Sequence, residues 1–293
     1  MKQGSASHSK SAVLARTARH ETERAWAIGA RILAAIRIRG RPVINRLLII
    51  AWSIREFENF RDFLTELDRQ TPATGTVVIR TRSGLVIAMR KNVWDARIVR
   101  EMFQQRPYLR HTSLPSSPVI VDIGAYIGDF SLFAAHELNA RVFAYEPTIE
   151  NLELLNENVL ANSMGGRIQV VNKAVGDGDP VTLHVSRNGE EIHVSRYWYE
   201  GGEDRTVETV TLVDLFETHH LDKIDLLKVD CEGCEYDIFQ SVPGPVFERI
   251  GNIVFEYHRF EGSDRKLDAL KALLTNNGYR LSIDGLIVSA CRK

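Results

Sequence analysis

The chain has 293 residues, with 37 Lys+Arg against 38 Asp+Glu and a formal net charge of −1. That balance excludes a uniformly basic nucleic-acid coat, and 44% hydrophobic with 26% charged residues excludes a fibrous or wholly unstructured chain. The length suits one large domain, or one domain with an appendage.

The charge is unevenly placed. Residues 1–46 hold ten lysines and arginines and two acids, a net of +8, which leaves −9 on the rest. Three cysteines, Cys231, Cys234 and Cys291, make no disulfide framework and point to a reducing, cytoplasmic setting. The longest strictly apolar run is six residues, Leu47 to Trp52, too short for a membrane span. Arg16 and Arg19 interrupt the only mildly apolar stretch near the start, which argues against a secretory leader.

In chain order, residues 1–20 read as a tail. Residues 21–39 read as a basic amphipathic helix, with Ile28, Ile32 and Ala35 or Ile36 at helical spacing, stopped by Gly40-Arg41-Pro42. A second helix is expected over 43–68, where Ile50, Ile54, Phe57, Leu64 and Leu67 keep its period. A basic helix carrying Trp26 suits an anionic membrane surface, so residues 21–54 are a candidate peripheral membrane contact. The plainer alternative packs both helices on the main domain or on a partner subunit, as in a homo-oligomer. Residues 76–80 and 85–89 flank Thr81-Arg82-Ser83-Gly84 as a β-hairpin. A helix capped by Asn92 then runs to about Gln105, and Pro107, Pro115 and Pro118 mark a linker. The chain thus divides into a basic arm (1–70), a hairpin–helix lead-in (71–117) and a main domain (118–293).

From Val119 strands and helices alternate. Strands are expected at Val119–Ile123, Arg141–Tyr145, Arg167–Val171, Ile224–Val229 and Ile250–Tyr257. Helices are expected at 127–138, 149–161, 211–219, near 235–240, and at 264–277. Residues 181–211 are polar and β-rich. Tyr279–Ile283 and Leu286–Ala290 close the chain as a hairpin across Asp284-Gly285. This alternation implies an α/β fold, a mostly parallel sheet covered on both faces, with one antiparallel strand from the last hairpin.

The sharpest motif is Asp122-Ile-Gly124-Ala125-Tyr-Ile-Gly128-Asp129, where the first strand of that domain meets its helix. Glycines there allow close backbone approach to a nucleotide-like cofactor, and a helix N-terminus offers unpaired N–H groups. Glu146, 22 residues after Gly124, ends the next strand, where an acid accepts hydrogen bonds from ribose hydroxyls. Dinucleotides and S-adenosylmethionine both use such an acid. The spacing D-x-G-x-x-x-G departs from the G-x-G-x-x-G of a pyrophosphate turn. Asp122 and Asp129 would repel a pyrophosphate and attract an ammonium and a sulfonium.

The runs VIVDIGAYIGDFSLFAA, VFAYEPTIENLELLNENV, IDLLKVDCEGCEYDIF and IVFEYH resemble the FkbM-type S-adenosylmethionine-dependent methyltransferases, over about residues 76–291. The resemblance implies a Rossmann-like class I methyltransferase fold with a seven-stranded sheet, and methylation of a hydroxyl on a sugar, glycolipid or secondary metabolite. It implies that Asp122, Gly124, Ala125 and Gly128 line the methionine end of S-adenosyl-L-methionine and that Glu146 holds the ribose. Pro147 and Asn151 would shape the adenosine side, with Lys173 and Ala174 beside the adenine. Residues 1–70 lie outside the shared pattern.

Asp230 and Glu232 end one strand, and Glu256 and His258 end the next. In such a sheet these strands are neighbours and ligands bind outside their carboxyl ends, so the four residues should face one crevice. His258 titrates nearest neutral pH and is the preferred base for an alcohol acceptor, with Glu256 or Asp230 orienting it. The alternative is a strand-end histidine bonded to backbone. Asp230, Glu256 and His258 also suit a divalent metal, although no metal is assigned. Cys231-x-x-Cys234 lacks the second ligand pair zinc needs and the context of a redox motif, and reads as small buried residues at a strand–helix junction. Tyr197–Gly202 reads as a substrate lid or as a packed hairpin. The rival enzyme reading is a nicotinamide-dependent oxidoreductase. The rival of another class is a cofactor-binding module docked through its basic arm.

Overall fold

Strands that are apolar along their whole length need a sheet covered on both faces. The computed structural model shows that sheet, and it describes residues 42–188, 191–195, 202–240, 242–258 and 263–292. The expected helix at 21–39, with Trp26, and the Tyr197-Trp198-Tyr199 cluster lie outside the described residues. The described residues 42–55 and those from Glu56 onward belong to separate compact units.

The helix expected over 43–68 is two helices, α1 (42–56) and α2 (Phe60–Leu67). The break has a tertiary cause. Phe57 is fully buried and its backbone bridges to Thr81. The Asn59 side chain accepts from the Arg80 N–H at 2.9 Å and donates to the Val78 carbonyl at 2.8 Å. The hairpin β1 (Thr76–Arg80) and β2 (Val86–Arg90) thus takes these residues from the helix. Next, α3 (Asp95–Arg100) continues as a π-turn over Glu101–Gln105 and ends at Arg106, with φ 52°. A 3-10 turn follows at Pro107–Leu109.

The main sheet is built from β3 (Val119–Ile123), β4 (Arg141–Tyr145) and β5 (Ile168–Val171), crossed by α4 (Asp129–Glu137) and α5 (Ile149–Ala161). A short pair, β6 (Ala174–Val175) and β10 (Thr209–Val210), brackets a three-stranded antiparallel sheet, β7 (Val181–Asn188), β8 (Glu191–Ser195) and β9 (Glu203–Val207). Then come α6 (Leu212–Thr218), β11 (Ile224–Val229), α7 (Glu235–Gln240), α8 (Gly244–Phe247) and β12 (Ile250–Glu256). The chain closes with α9 (Ser263–Asn276), β13 (Tyr279–Asp284) and β14 (Ile287–Arg292).

The seven strands lie in the order β13-β14-β12-β11-β3-β4-β5. The pairings from β12 through β5 are parallel, and β14 lies antiparallel between β12 and β13. This is the Rossmann-like class I methyltransferase arrangement. The chain leaves β3 toward β4 on one side, and β11 later returns on the other. That reversal opens a crevice above the carboxyl ends of β3 and β11.

The lead-in hairpin sits against α5 through two asparagines one helical turn apart. Asn162 accepts from the Val86 N–H and donates to its carbonyl, and Asn158 does the same for Ala88. Each amide imitates a strand partner, so the outer edge of β2 is satisfied by a helix. Among the described residues, no helix is long and apolar enough to cross a membrane.

Candidate active site

A cavity of about 670 Å³ fills the crevice, within the roughly 300–1,000 Å³ usual for small-molecule sites. Of the residues expected from sequence, Gly124, Glu146, Pro147, Asn151, Lys173 and Ala174 line it, as do Asp230, Glu256 and His258. Asp122, Ala125 and Gly128 do not, and stand behind its wall.

The physical reason lies in what the glycine turn touches. Asp122 is fully buried and pairs with Lys228, Nζ to Oδ1 2.9 Å, while Ser131 Oγ donates to its other oxygen at 2.6 Å. Lys228 Nζ also donates to the Gly124 carbonyl at 2.7 Å. Asp122 is therefore a counter-ion that pins the loop. A Cβ at Gly124, with φ +75°, would overlap the Asp230 carbonyl oxygen, so this glycine admits the neighbouring loop. At Gly128, with φ +88°, a Cβ would lie 2.5 Å from Leu155 of α5. Ala125 is buried with its N–H on the Tyr145 carbonyl at 3.0 Å. Of the two acids in the motif, Asp129 is the one that faces the cavity. Burial, then the charges of Asp122 and Asp230, push its carboxyl up to about 7 despite Lys228.

At one end of the cavity Glu146 is braced from behind. Its Oε1 accepts from the Thr148 N–H at 2.9 Å and from Asn151 Nδ2 at 3.3 Å, and its Oε2 from the Tyr126 N–H at 3.0 Å. Asn172 holds the carbonyls of Glu146 and Pro147, each at 3.0 Å. Lys173 pairs with Glu208 at 3.3 Å, and Ala174 is buried.

The other end collects carboxylates. Tyr108 Oη donates to Asp230 Oδ2 at 2.7 Å, and burial followed by the Asp230 charge raises the phenol far above its usual range. His258 Nε2 lies 3.4 Å from Glu232 and 3.9 Å from Asp230, and its Nδ1 lies 3.4 Å from Glu235. Glu235 is fully buried and accepts from the backbone N–H groups of Gly233 and His258, at 3.0 and 2.9 Å. Burial alone would lower the His258 pKa, but the Glu235 contact and the surrounding charges push it up to about 9. That shift favours the imidazolium near neutral pH. Glu235 faces one ring nitrogen, while Glu232 and Asp230 face the other. Burial, then the Asp230 charge, pushes Glu256 up to about 7, and Glu101 is raised for the same two reasons.

Residues 122–281 match the family described as the methyltransferase FkbM domain. The chain belongs to the FkbM methyltransferase family. It is 27% identical over 221 residues to methyltransferase sdnD of Sordaria araneosa, covering 64% of this chain and 83% of that protein. It is 27% identical over 234 residues to the 31-O-demethyl-FK506 methyltransferase FkbM of Streptomyces tacrolimicus, covering 69% of this chain and 88% of that one. Among solved structures, a precorrin-6y C5,15-methyltransferase of Geobacter metallireducens superposes with a TM-score of 0.39 at 15% identity, over 64% of this chain and 84% of that one.

This FkbM-family enzyme is a methyltransferase, and its methyl donor is S-adenosylmethionine, which sets aside the oxidoreductase reading. The site's residues fit that group. The buried carboxylate of Glu146 would accept from a ribose, and Asp129, which faces the cavity, would suit an ammonium or a sulfonium. Sequence reasoning missed Tyr108 and Glu101, because they sit in a lead-in with no motif of its own. It missed Glu235 because an acid in the first turn of a short helix looks like an ordinary helix start. Cys231 and Cys234 border the cavity and form a disulfide, with Cα atoms 5.5 Å apart, where the sequence suggested small buried side chains. Among the described residues, no group of three or more His, Cys, Asp or Glu side chains has the arrangement of a metal site.

Proposed function

We propose that this FkbM-family enzyme methylates a hydroxyl of a small molecule, namely a sugar, glycolipid or secondary metabolite. One observation carries the reading: Asp230, Glu256 and His258 meet at one end of the cavity whose other end holds Glu146. The relative named for a 31-O-demethyl substrate acts at an oxygen by that name, which supports an oxygen acceptor here.

Bound S-adenosylmethionine supplies an electrophilic methyl group that needs little further activation. The protein's tasks are then to hold the acceptor in line and to take its proton. Asp230, fixed by Tyr108, accepts from the acceptor and aims it. Glu256, pushed up to about 7, is matched to taking a proton near neutral pH and replaces His258 as the proposed base. His258, as an imidazolium, balances the carboxylates around it and donates to the acceptor's other oxygens. The test is release of S-adenosylhomocysteine with a panel of polyols, sugars and matched amines. Turnover confined to the hydroxyl compounds supports the reading; turnover with amines alone overturns it.

The segment before the catalytic unit is proposed to set location, at a membrane surface or between subunits of a cytoplasmic protein. Its support is the +8 charge of residues 1–46 together with the exposed Val43, Leu47, Leu48 and Ile54 on α1.

A further inference from the structure

We propose that Arg90, in the lead-in hairpin and outside the matched family segment, is a positioning residue for the ribose-binding carboxylate of Glu146. The inference rests on the reading of Glu146 as the ribose acid.

The geometry converges on Glu146 along two lines. Arg90 is 6% exposed and pairs with the fully buried Asp95, Nε to Oδ2 3.2 Å. Its Nη1 donates to Asn151 Oδ1 at 2.8 Å. Arginine has donors only, so the Asn151 amide must turn its oxygen toward Arg90. That leaves Nδ2 facing Glu146 Oε1, at 3.3 Å. Without Arg90 the amide is free to flip and to present an oxygen to the carboxylate.

The second line reaches the other carboxylate oxygen. Tyr126, whose backbone N–H donates to Glu146 Oε2, has φ 52°, a conformation that a residue with a Cβ adopts only when held. It is held at its hydroxyl and on the face of its ring. Its Oη donates to Asp95 Oδ1 at 2.6 Å, and the Arg90 guanidinium lies 4.9 Å from the ring centroid. The pair is itself locked, since Asn92 Oδ1 accepts from the Asp95 N–H at 2.7 Å and its amide donates back to Asp95 at 2.5 Å. One buried ion pair thus grips two of the three residues that donate to Glu146. Lysine at position 90 would keep the charge but not the planar fork that reaches Asp95 and Asn151 together.

The experiment measures calorimetric affinity for S-adenosylhomocysteine and for its 2′-deoxy and 3′-deoxy analogues, in the full chain. In the unaltered protein, loss of a hydroxyl held by a carboxylate should cost about tenfold in affinity. Arg90→Lys should weaken S-adenosylhomocysteine binding about tenfold and erase most of that preference for the hydroxyls. Tyr126→Phe, which removes a single hydroxyl, should reduce the preference by a smaller factor and serves if Arg90→Lys does not fold. A merely structural role lowers the melting temperature and leaves the ratio between analogues intact. An intact ratio in both folded variants therefore overturns the inference. Absence of any hydroxyl preference in the unaltered protein overturns the ribose reading of Glu146 and the inference with it.

Discussion

The two ends of the cavity treat carboxylates in opposite ways. At one end the single buried acid Glu146 receives backbone and amide donors from three residues on two separate segments, Tyr126, Thr148 and Asn151. At the other end Asp230, Glu232, Glu235 and Glu256 surround one histidine, and Glu256 is raised to about 7 and His258 to about 9. Donors around a buried carboxylate fix its charge and its direction, which suits recognition of an unchanging ligand. Like charges in a shared dry space leave a proton shared among them, which suits a proton in transit.

The largest effect expected is on the recognition end. Glu146→Ala should weaken S-adenosylhomocysteine binding about a hundredfold, two charged hydrogen bonds being lost, while leaving the His258 titration in place. A change below threefold in calorimetry would end the division of labour. Next is chemistry: Glu256→Gln should lower turnover about a hundredfold or more, the usual share of a general base, with cofactor affinity within about twofold. Equal losses in both quantities would merge the two ends into one.

The third measurement is a proton NMR titration of His258. Its pKa should fall from about 9 toward the ordinary value in Glu235→Gln, which is about 6.5. A folded pKa above the unfolded one gives stability that is complete below about 6.5 and is lost as pH rises through about 9. Glu256 and Asp129, raised to about 7, also cost the fold stability as pH rises through that value. The unliganded protein should therefore unfold more easily at pH 9 than at pH 6.5, and Glu235→Gln should show a flatter profile. A rise in stability over that window would contradict the charges assigned here.

Smaller still is Gly128→Ala. It should cost about 1–3 kcal/mol from overpacking against Leu155 and the positive φ, read by denaturant titration, with binding preserved once folded. The least effect on chemistry should come from removing residues 1–46. Vesicle pelleting with anionic lipid should fall while turnover holds, and unchanged pelleting would remove the membrane from the proposal.

Much of the fold is legible in the sequence because apolar runs and helical periods are local signals. The bounds of Val119–Ile123, Arg141–Tyr145 and Ile224–Val229 agree with the structure to the residue. The split at Phe57 is not legible, since helical periodicity runs through it and only pairing with Thr81 interrupts it. Glu146 is legible by its distance from the glycine turn along two consecutive elements. Asp122 and Gly124 are legible as important but not in their roles, because both answer to partners more than 100 residues away, Lys228 and Asp230.

By itself the sequence determined the alternation of strands and helices, the glycine turn with its spaced acid, and the family to which these belong. All are written in short-range spacing, which every chain of that pattern must carry. Only the tertiary structure decided which acids face the cavity, that carboxylates surround His258 and raise its pKa, and that Tyr108 from the lead-in lines the same cavity. Charge state and orientation depend on burial and on neighbours brought in from other elements, and no local pattern records those.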